Sequence, residues 1–219
     1  MNMLSFFNIG GEAVEAEYKT LSKQAVAEYE EKKSKFIATA RPVSSEEEAQ
    51  EFVASLKSKY WDATHNVYAW YIAGDNISQK FSDDGEPSGT AGKPVLEAIK
   101  KLEVRDAVVV VTRYFGGTLL GAAGLVRAYG KSATLGLEAA GIIKKQLCIK
   151  TYIKIEYSFL GKVQNIIAER GYKLIKSDYG QDVSISLYVP VGEHDGFLNT
   201  ITEVTNGRAT ISGEEKEYI

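Results

Sequence analysis

Between Arg105 and Phe115 the chain reads RDAVVVVTRYF, and nothing polar interrupts it from Ala107 to Val111. A strand with one wet face alternates apolar and polar residues, so this run predicts a buried central strand of a sheet. It falls far short of the roughly 18 apolar residues that cross a bilayer. Helical patterns flank it. Before it, KPVLEAIKKLE puts Val95, Leu96 and Ile99 on one face, with Pro94 at a first-turn position. After Gly116-Gly117 comes TLLGAAGLVRAYGKSATLGLEAAG, a long helical pattern rich in glycine.

The remaining elements are read around that strand. QAVAEYEEKKSKFIATARPV suggests two strands with a charged break at residues 31–35. SSEEEAQEFVASLKSKYW predicts a helix, with Ser45 and Glu48 spaced as a capping box. HNVYAWYIAG is rich in β-branched and aromatic residues, and NISQKFSDDG reads as a further strand. Past Gly141 the pattern becomes strand (about 148–159), helix (162–170), strands (172–176 and 183–189), helix (193–205), strand (208–212). That βαββαβ order is the ferredoxin-like plait. Gly171 and Gly207 supply the helix stops. The expectation is an α+β chain with a flexible tail over residues 1–20 and domains over 21–141 and 147–219.

A net charge of −3 excludes a globally basic nucleic-acid binder and leaves room for a local basic face. Cys148 is the one cysteine, so no internal disulfide forms and a reducing compartment is expected. The opening residues lack a basic leader region. A cytoplasmic protein with no membrane partner is the reading.

SDDGEPSGTAGKP, residues 82–94, invites a phosphate-cradle interpretation. A P-loop would place glycine where Pro87 stands and a hydroxyl where Pro94 stands, and a dinucleotide fingerprint would need glycine at Thr118. Both motifs fail. Gly85, Gly89 and Gly92 with a helix N-terminus can still cradle an anion, although Asp83, Asp84 and Glu86 would repel it. The alternative is a rigid turn into the helix, and both readings stay open. Gly121, Gly124, Gly130 and Gly136 would each cost roughly 1 kcal/mol within a helix, which implies close packing or close approach of a ligand, with helix-on-sheet packing the favoured explanation. Leu119, Ala123, Val126, Gly130, Ala133 and Leu137 form the expected packing stripe. Arg127 and Lys131 share another face, either solvated or anion-binding. His65 with Asp83, Asp84 and Glu86 is the only candidate for a hard metal or acid–base work, and the expectation is no metal and no cofactor. Ser88 and Thr90 lack a placed base, and Cys148 reads as a structural thiol.

KSKFIATARPV, ATHNVYAW, SDDGEPSGTAGKPVL and VVVTRYFGGTLLGAAGLVRAYGKSA together resemble the IMPACT/YigZ family, in its bacterial two-domain form. The resemblance implies a first domain like domain 2 of ribosomal protein S5 and a plait similar to the last domain of elongation factor G. Eukaryotic members regulate translation through a partner of an initiation-factor kinase. Their extra domain is not expected here, so that partnership is not carried over. The family brings no established catalytic activity. The resemblance also implies that DGEPSGTAG and TRYFGG meet, so that Asp84, Glu86, Ser88, Thr90, Arg113 and Tyr114 line one surface beside His65. The expected function is non-enzymatic binding of RNA, the ribosome or a translation-associated protein partner. Lys33, Lys35, Lys93, Arg113, Arg127 and Lys131 would contact phosphate, with Tyr114 and Phe115 for stacking. The alternatives are an enzyme acting on a small phosphorylated or nucleotide-like substrate with a metal near Asp84, and a protein-interaction module using VYAWYI.

Overall fold

The computed structural model describes residues 6–9, 12–73, 77–213 and 215–219. The stretch expected as a flexible tail differs from that expectation over its described part. Strands β1 (Phe6–Ile9) and β2 (Glu12–Glu15) pair antiparallel, and β3 (Glu17–Leu21) follows, ending on the buried Thr20 and Leu21. An apolar side chain such as Leu21 anchors the segment by leaving water. Residues 1–5 and 10–11 lie outside the described residues. The chain divides into two units, Tyr18–Lys144 and residues 1–17 with Lys145–Ile219.

In the first unit, β4 (Ala25–Glu31), β5 (Ser34–Pro42), β6 (His65–Ala73), β7 (Ile77–Ser82) and β8 (Ala107–Tyr114) form an antiparallel sheet in the order β4-β5-β8-β6-β7. The apolar run is therefore the middle strand. Val108 and Val110 pack on one face with Phe52, Val53 and Leu56 of helix α1 (Glu46–Lys59). Val109 and Val111 pack on the other, under α2 (Gly92–Lys101) and α3 (Ala122–Ala140). Two covered faces explain why alternation is missing. Ser45 caps α1 by accepting from the Glu48 N–H, while the Glu48 carboxylate reaches back to the Ser44 N–H.

Helix α3 corrects the expected stripe. It begins at Ala122, and Gly121 is its N-cap at φ +71°, so that glycine is not a helix-interior residue. Only Ala133 and Leu137 of the stripe reach the core, where they join Leu125, Ala128, Tyr129 and Ala140. Leu119 lies before the helix and is 82% exposed. The close packing inferred from glycine holds at Gly136, where a Cβ would fall 2.9 Å from Ala38 Cβ on β5.

In the second unit, β9 (Ile142–Ile155), α4 (Leu160–Glu169), β10 (Lys173–Tyr179), β11 (Val183–Pro190), α5 (His194–Val204), β12 (Thr210–Ser212) and β13 (Lys216–Tyr218) follow in sequence. The antiparallel sheet has the order β10-β11-β9-β12, and β13 also pairs with β9. Ile153, Ile155, Ile185 and Leu187 pack against Val163, Ile167, Phe197 and Ile201 of the two helices. Strand β9 starts earlier and ends earlier than the sequence suggests, because a 3-10 turn at Tyr157–Phe159 leads into α4. Gly171 and Gly207 take φ of +67° and +74° just past α4 and α5. Among the described residues no helix is long and apolar enough to cross a membrane.

Candidate functional site

The glycine-rich loop after β7 is organised by its own acids. The Asp83 carboxylate accepts from the backbone N–H groups of Gly89 (2.8 Å), Ala91 (3.0 Å) and Gly92 (2.8 Å). Ala91 and Gly92 open α2, so an internal carboxylate already occupies the positive end of that helix. Gly92 is required by space, since a Cβ there would fall 2.7 Å from the Ser82 backbone. Asp84 accepts from Lys57 Nζ (2.5 Å) and from the Asn66 N–H (2.6 Å). Its carbonyl accepts from His65 Nδ1 at 2.8 Å, which turns Nε2 toward Glu86. Of the two readings of this loop, the bonds are those of a rigid turn.

Glu86 and Arg113 form the centre of the arrangement, and they are buried. Arg113 donates to Glu86 at 2.5 Å and to Ser34 Oγ at 3.2 Å, with its guanidinium 5.5 Å from the centre of the Phe36 ring. The Tyr129 hydroxyl donates to the same Glu86 oxygen at 2.7 Å, and His65 Nε2 lies 3.8 Å from it. Burial, followed by the adjacent Glu86 carboxylate, pushes the Tyr129 phenol far up, so it stays a donor. The two signature segments thus meet through a buried ion pair. This differs from the ligand-facing surface the resemblance implies: Glu86, Thr90 and Arg113 are all buried, and Thr90 Oγ1 donates to the Pro87 carbonyl at 2.6 Å. An arginine enclosed by Glu86, Ser34 and two aromatic rings is not placed to meet a phosphate in solvent. Ser88 is exposed, and half-buried Tyr114 donates to Asp62 at 2.9 Å. No group of three or more His, Cys, Asp or Glu is placed to hold a metal among the described residues.

One set of exposed cations lies elsewhere, beside α3. A groove of about 570 Å³ runs between α2 and α3, and Lys93, Lys101 and Lys131 line it with Glu97, Pro94 and Val126. A smaller pocket of about 160 Å³ is lined by Lys32, Arg127 and Lys131 with Tyr29, Glu31 and Leu120. Lys131 belongs to both, and its Nζ sits 4.5 Å from the Tyr29 ring centre. Of the expected phosphate contacts, the structure brings Lys93, Arg127 and Lys131 to these two cavities. Lys33 is exposed at the β4–β5 turn next to Lys32, and Lys35 pairs with Glu28 at 2.9 Å. Lys32 and Lys101 escaped the sequence reading. Lys101 stands two helical turns after Lys93 on α2, and that spacing is the signal that would have found it.

Glu86 thereby fastens α3 to the loop, and Asp83 fastens α2 to it, so the signature residues hold the two groove-forming helices on the sheet. The same segments carry the likeness to known proteins. Residues 32–137 match the Impact N-terminal domain, and residues 153–208 match a domain of unknown function, DUF1949. IMPACT family member YvyE of Bacillus subtilis (strain 168) is 42% identical over 92% of this chain and 93% of its own length. The chain belongs to the IMPACT family. The IMPACT family member YigZ of Escherichia coli (strain K12) is 34% identical over 80% of the chain and 87% of its own length. The IMPACT homolog of Dictyostelium discoideum is 42% identical over 95 residues, which make up 27% of that protein. A solved crystal structure of a hypothetical protein matches with a TM-score of 0.58 at 32% identity, covering 92% of this chain and 99% of that one.

Proposed function

We propose that this IMPACT family member is a translation-linked binding protein that holds RNA phosphates, free or on the ribosome, in the groove between α2 and α3. Family membership supports a translation-related role. The observation that carries the binding reading is the division of charge within one unit. Asp83, Asp84 and Glu86 are engaged by internal donors, while Lys32, Lys93, Lys101, Arg127 and Lys131 are exposed around two adjoining cavities. Lysine and arginine at a groove contact phosphate without reading sequence. Lys33 extends the set along the β4–β5 turn. Arg113, His65, Asp84, Glu86 and Thr90 act in this reading as positioning residues.

The fold assignments belong to the same proposal. The βαββαβ order with strands arranged β10-β11-β9-β12 supports a ferredoxin-like plait over 147–219, similar to the last domain of elongation factor G. Residues 21–141 are read as the domain 2-like fold of ribosomal protein S5. The cytoplasm is the compartment this reading implies.

Co-sedimentation with purified ribosomes across a salt series tests it. Binding through phosphate releases counterions, so affinity falls steeply as salt rises. The double variant Arg127→Ala, Lys131→Ala is expected to bind more weakly and to lose about one unit of salt slope per phosphate contact removed. Lys162→Ala, exposed on α4 of the other unit, is the control. A double variant that tracks the wild type over the whole series overturns the groove and favours a protein partner.

A further inference from the structure

The second unit carries a surface that the groove does not explain. Its sheet buries one face under α4 and α5, and on the opposite face Tyr152, Lys154 and Ser184 are exposed while Lys150, Ser186 and Tyr188 are half-buried. The residues that alternate with the buried set point outward: Lys150, Tyr152 and Lys154 on β9, Ser184, Ser186 and Tyr188 on β11. Register places Ser186 opposite Tyr152 and Lys150 opposite Tyr188. On β10, Lys173 stands opposite Tyr188 and Lys176 opposite Ser186. The two tyrosines are thus diagonal neighbours on the adjoining central strands, roughly 7–8 Å apart by ordinary sheet geometry.

We propose that this face binds single-stranded RNA, with bases stacked on Tyr152 and Tyr188 and the backbone tracked by Lys150, Lys154, Lys173 and Lys176. Tyr152 is 41% exposed, a large aromatic ring held in solvent at the middle of a sheet. The neighbours of the rings on β11, Ser184 and Ser186, carry small side chains. Lys150 and Lys173 hold Nζ over the rings of Tyr152 and Tyr188, 5.9 and 5.7 Å from the ring centres, so a stacking base displaces the ammonium from that face or takes the other one. A π-face flanked by cations is the shared requirement of single-strand binders, because every base offers a face and every nucleotide a phosphate. Acids border the face as well. Glu215 pairs with Lys150, Asp182 with Lys154 and Asp178 with Lys176, and Glu217 accepts from the Tyr188 hydroxyl. These ion pairs lie at the surface, where such pairs are weak and a phosphate can exchange for the carboxylate. A duplex has no free base faces to offer the tyrosines, which is why a single strand is the occupant.

The experiment measures binding of a short fluorescein-labelled oligouridylate to the full chain. Tyr152→Ala and Tyr188→Ala are each expected to weaken binding about five- to a hundredfold. Tyr152→Phe and Tyr188→Phe keep the ring and are expected to bind as wild type, which separates stacking from the hydroxyl bond to Glu217. Inorganic polyphosphate of matched charge is expected to compete poorly. Alanine variants that bind like the wild type, or polyphosphate that competes as well as the RNA, overturn the proposal. The inference does not rest on the α2–α3 groove, and Arg127→Ala, Lys131→Ala in the same assay keeps the two apart. Loss with that variant alone upholds the groove and removes the sheet face. Loss with the tyrosine variants alone does the reverse.

Discussion

The Glu86–Arg113 pair concentrates a large stability effect on two side chains. Both are almost fully enclosed, with side-chain exposures of 4% and 6%, and Arg113 Nε has no partner among the described residues. Removing one member of a buried pair leaves the other charge uncompensated, at a cost of about 3–5 kcal/mol. Glu86→Ala is therefore expected to lower the urea midpoint sharply, and Glu86→Leu with Arg113→Met to recover much of the loss. A Glu86→Ala protein within about 1 kcal/mol of wild type would remove this account. Such roles are not legible in a sequence. Arg113 lies at the end of β8, where the sequence alone reads it as a cation at a loop mouth, while its partner lies 27 residues away. The neighbouring glycines show the same limit. Gly117 draws attention as a strand-to-helix joint, and its φ of +82° does require glycine. The close approach belongs to Gly116, whose Cβ would fall 2.0 Å from the Lys33 backbone, and nothing near Gly116 in the sequence announces Lys33.

At the scale of elements, most of the fold was readable, because periodicity, caps and stop glycines are local signals. β8, α1, α2 and the order of elements from β9 to β12 follow from them. The differences fall where local signals are weak: β13 is a three-residue strand, and α3 starts where a glycine N-cap gives no side-chain bond. α5 carries a titratable group with a consequence. His194 opens the helix, its side chain is buried, and Nε2 has no hydrogen-bond partner among the described residues. Burial lowers its pKa from the ordinary value, with nearby Asp195 opposing in part. The unfolded chain therefore takes up the proton first as pH falls, so the stability held by neutral His194 is full above the ordinary histidine range and is lost through it. Melting at pH about 7.5 and about 5.5 should show a drop in wild type, and His194→Gln should narrow it. Identical drops in both proteins would show that His194 does not carry the acid sensitivity.

At the scale of the whole molecule, the N-terminal residues belong with the far end of the chain. The Leu147 N–H donates to the Ala16 carbonyl at 2.8 Å, and the Tyr218 hydroxyl donates to the Glu15 carbonyl at 2.8 Å across 203 residues of sequence. A reading that moves along the chain places residues 1–20 by their lack of strong pattern, and pairing over that separation leaves no periodic trace. Deleting residues 1–17 is expected to raise hydrogen exchange at the Leu147 amide while leaving the central amides Val109–Val111 of β8 protected. Unchanged exchange at Leu147 would detach the N-terminal segment from this unit.

The carboxylate of Asp83 is a tethered competitor. Its link to the chain holds it at the mouth of α2 at an effective concentration on the order of millimolar or above, so a diffusible phosphate must outbid it to enter. In the loop that most resembles a nucleotide cradle, the N–H groups of Gly89, Ala91 and Gly92 are for that reason already engaged, without any steric gate. Its glycines serve an anion that the chain carries with it.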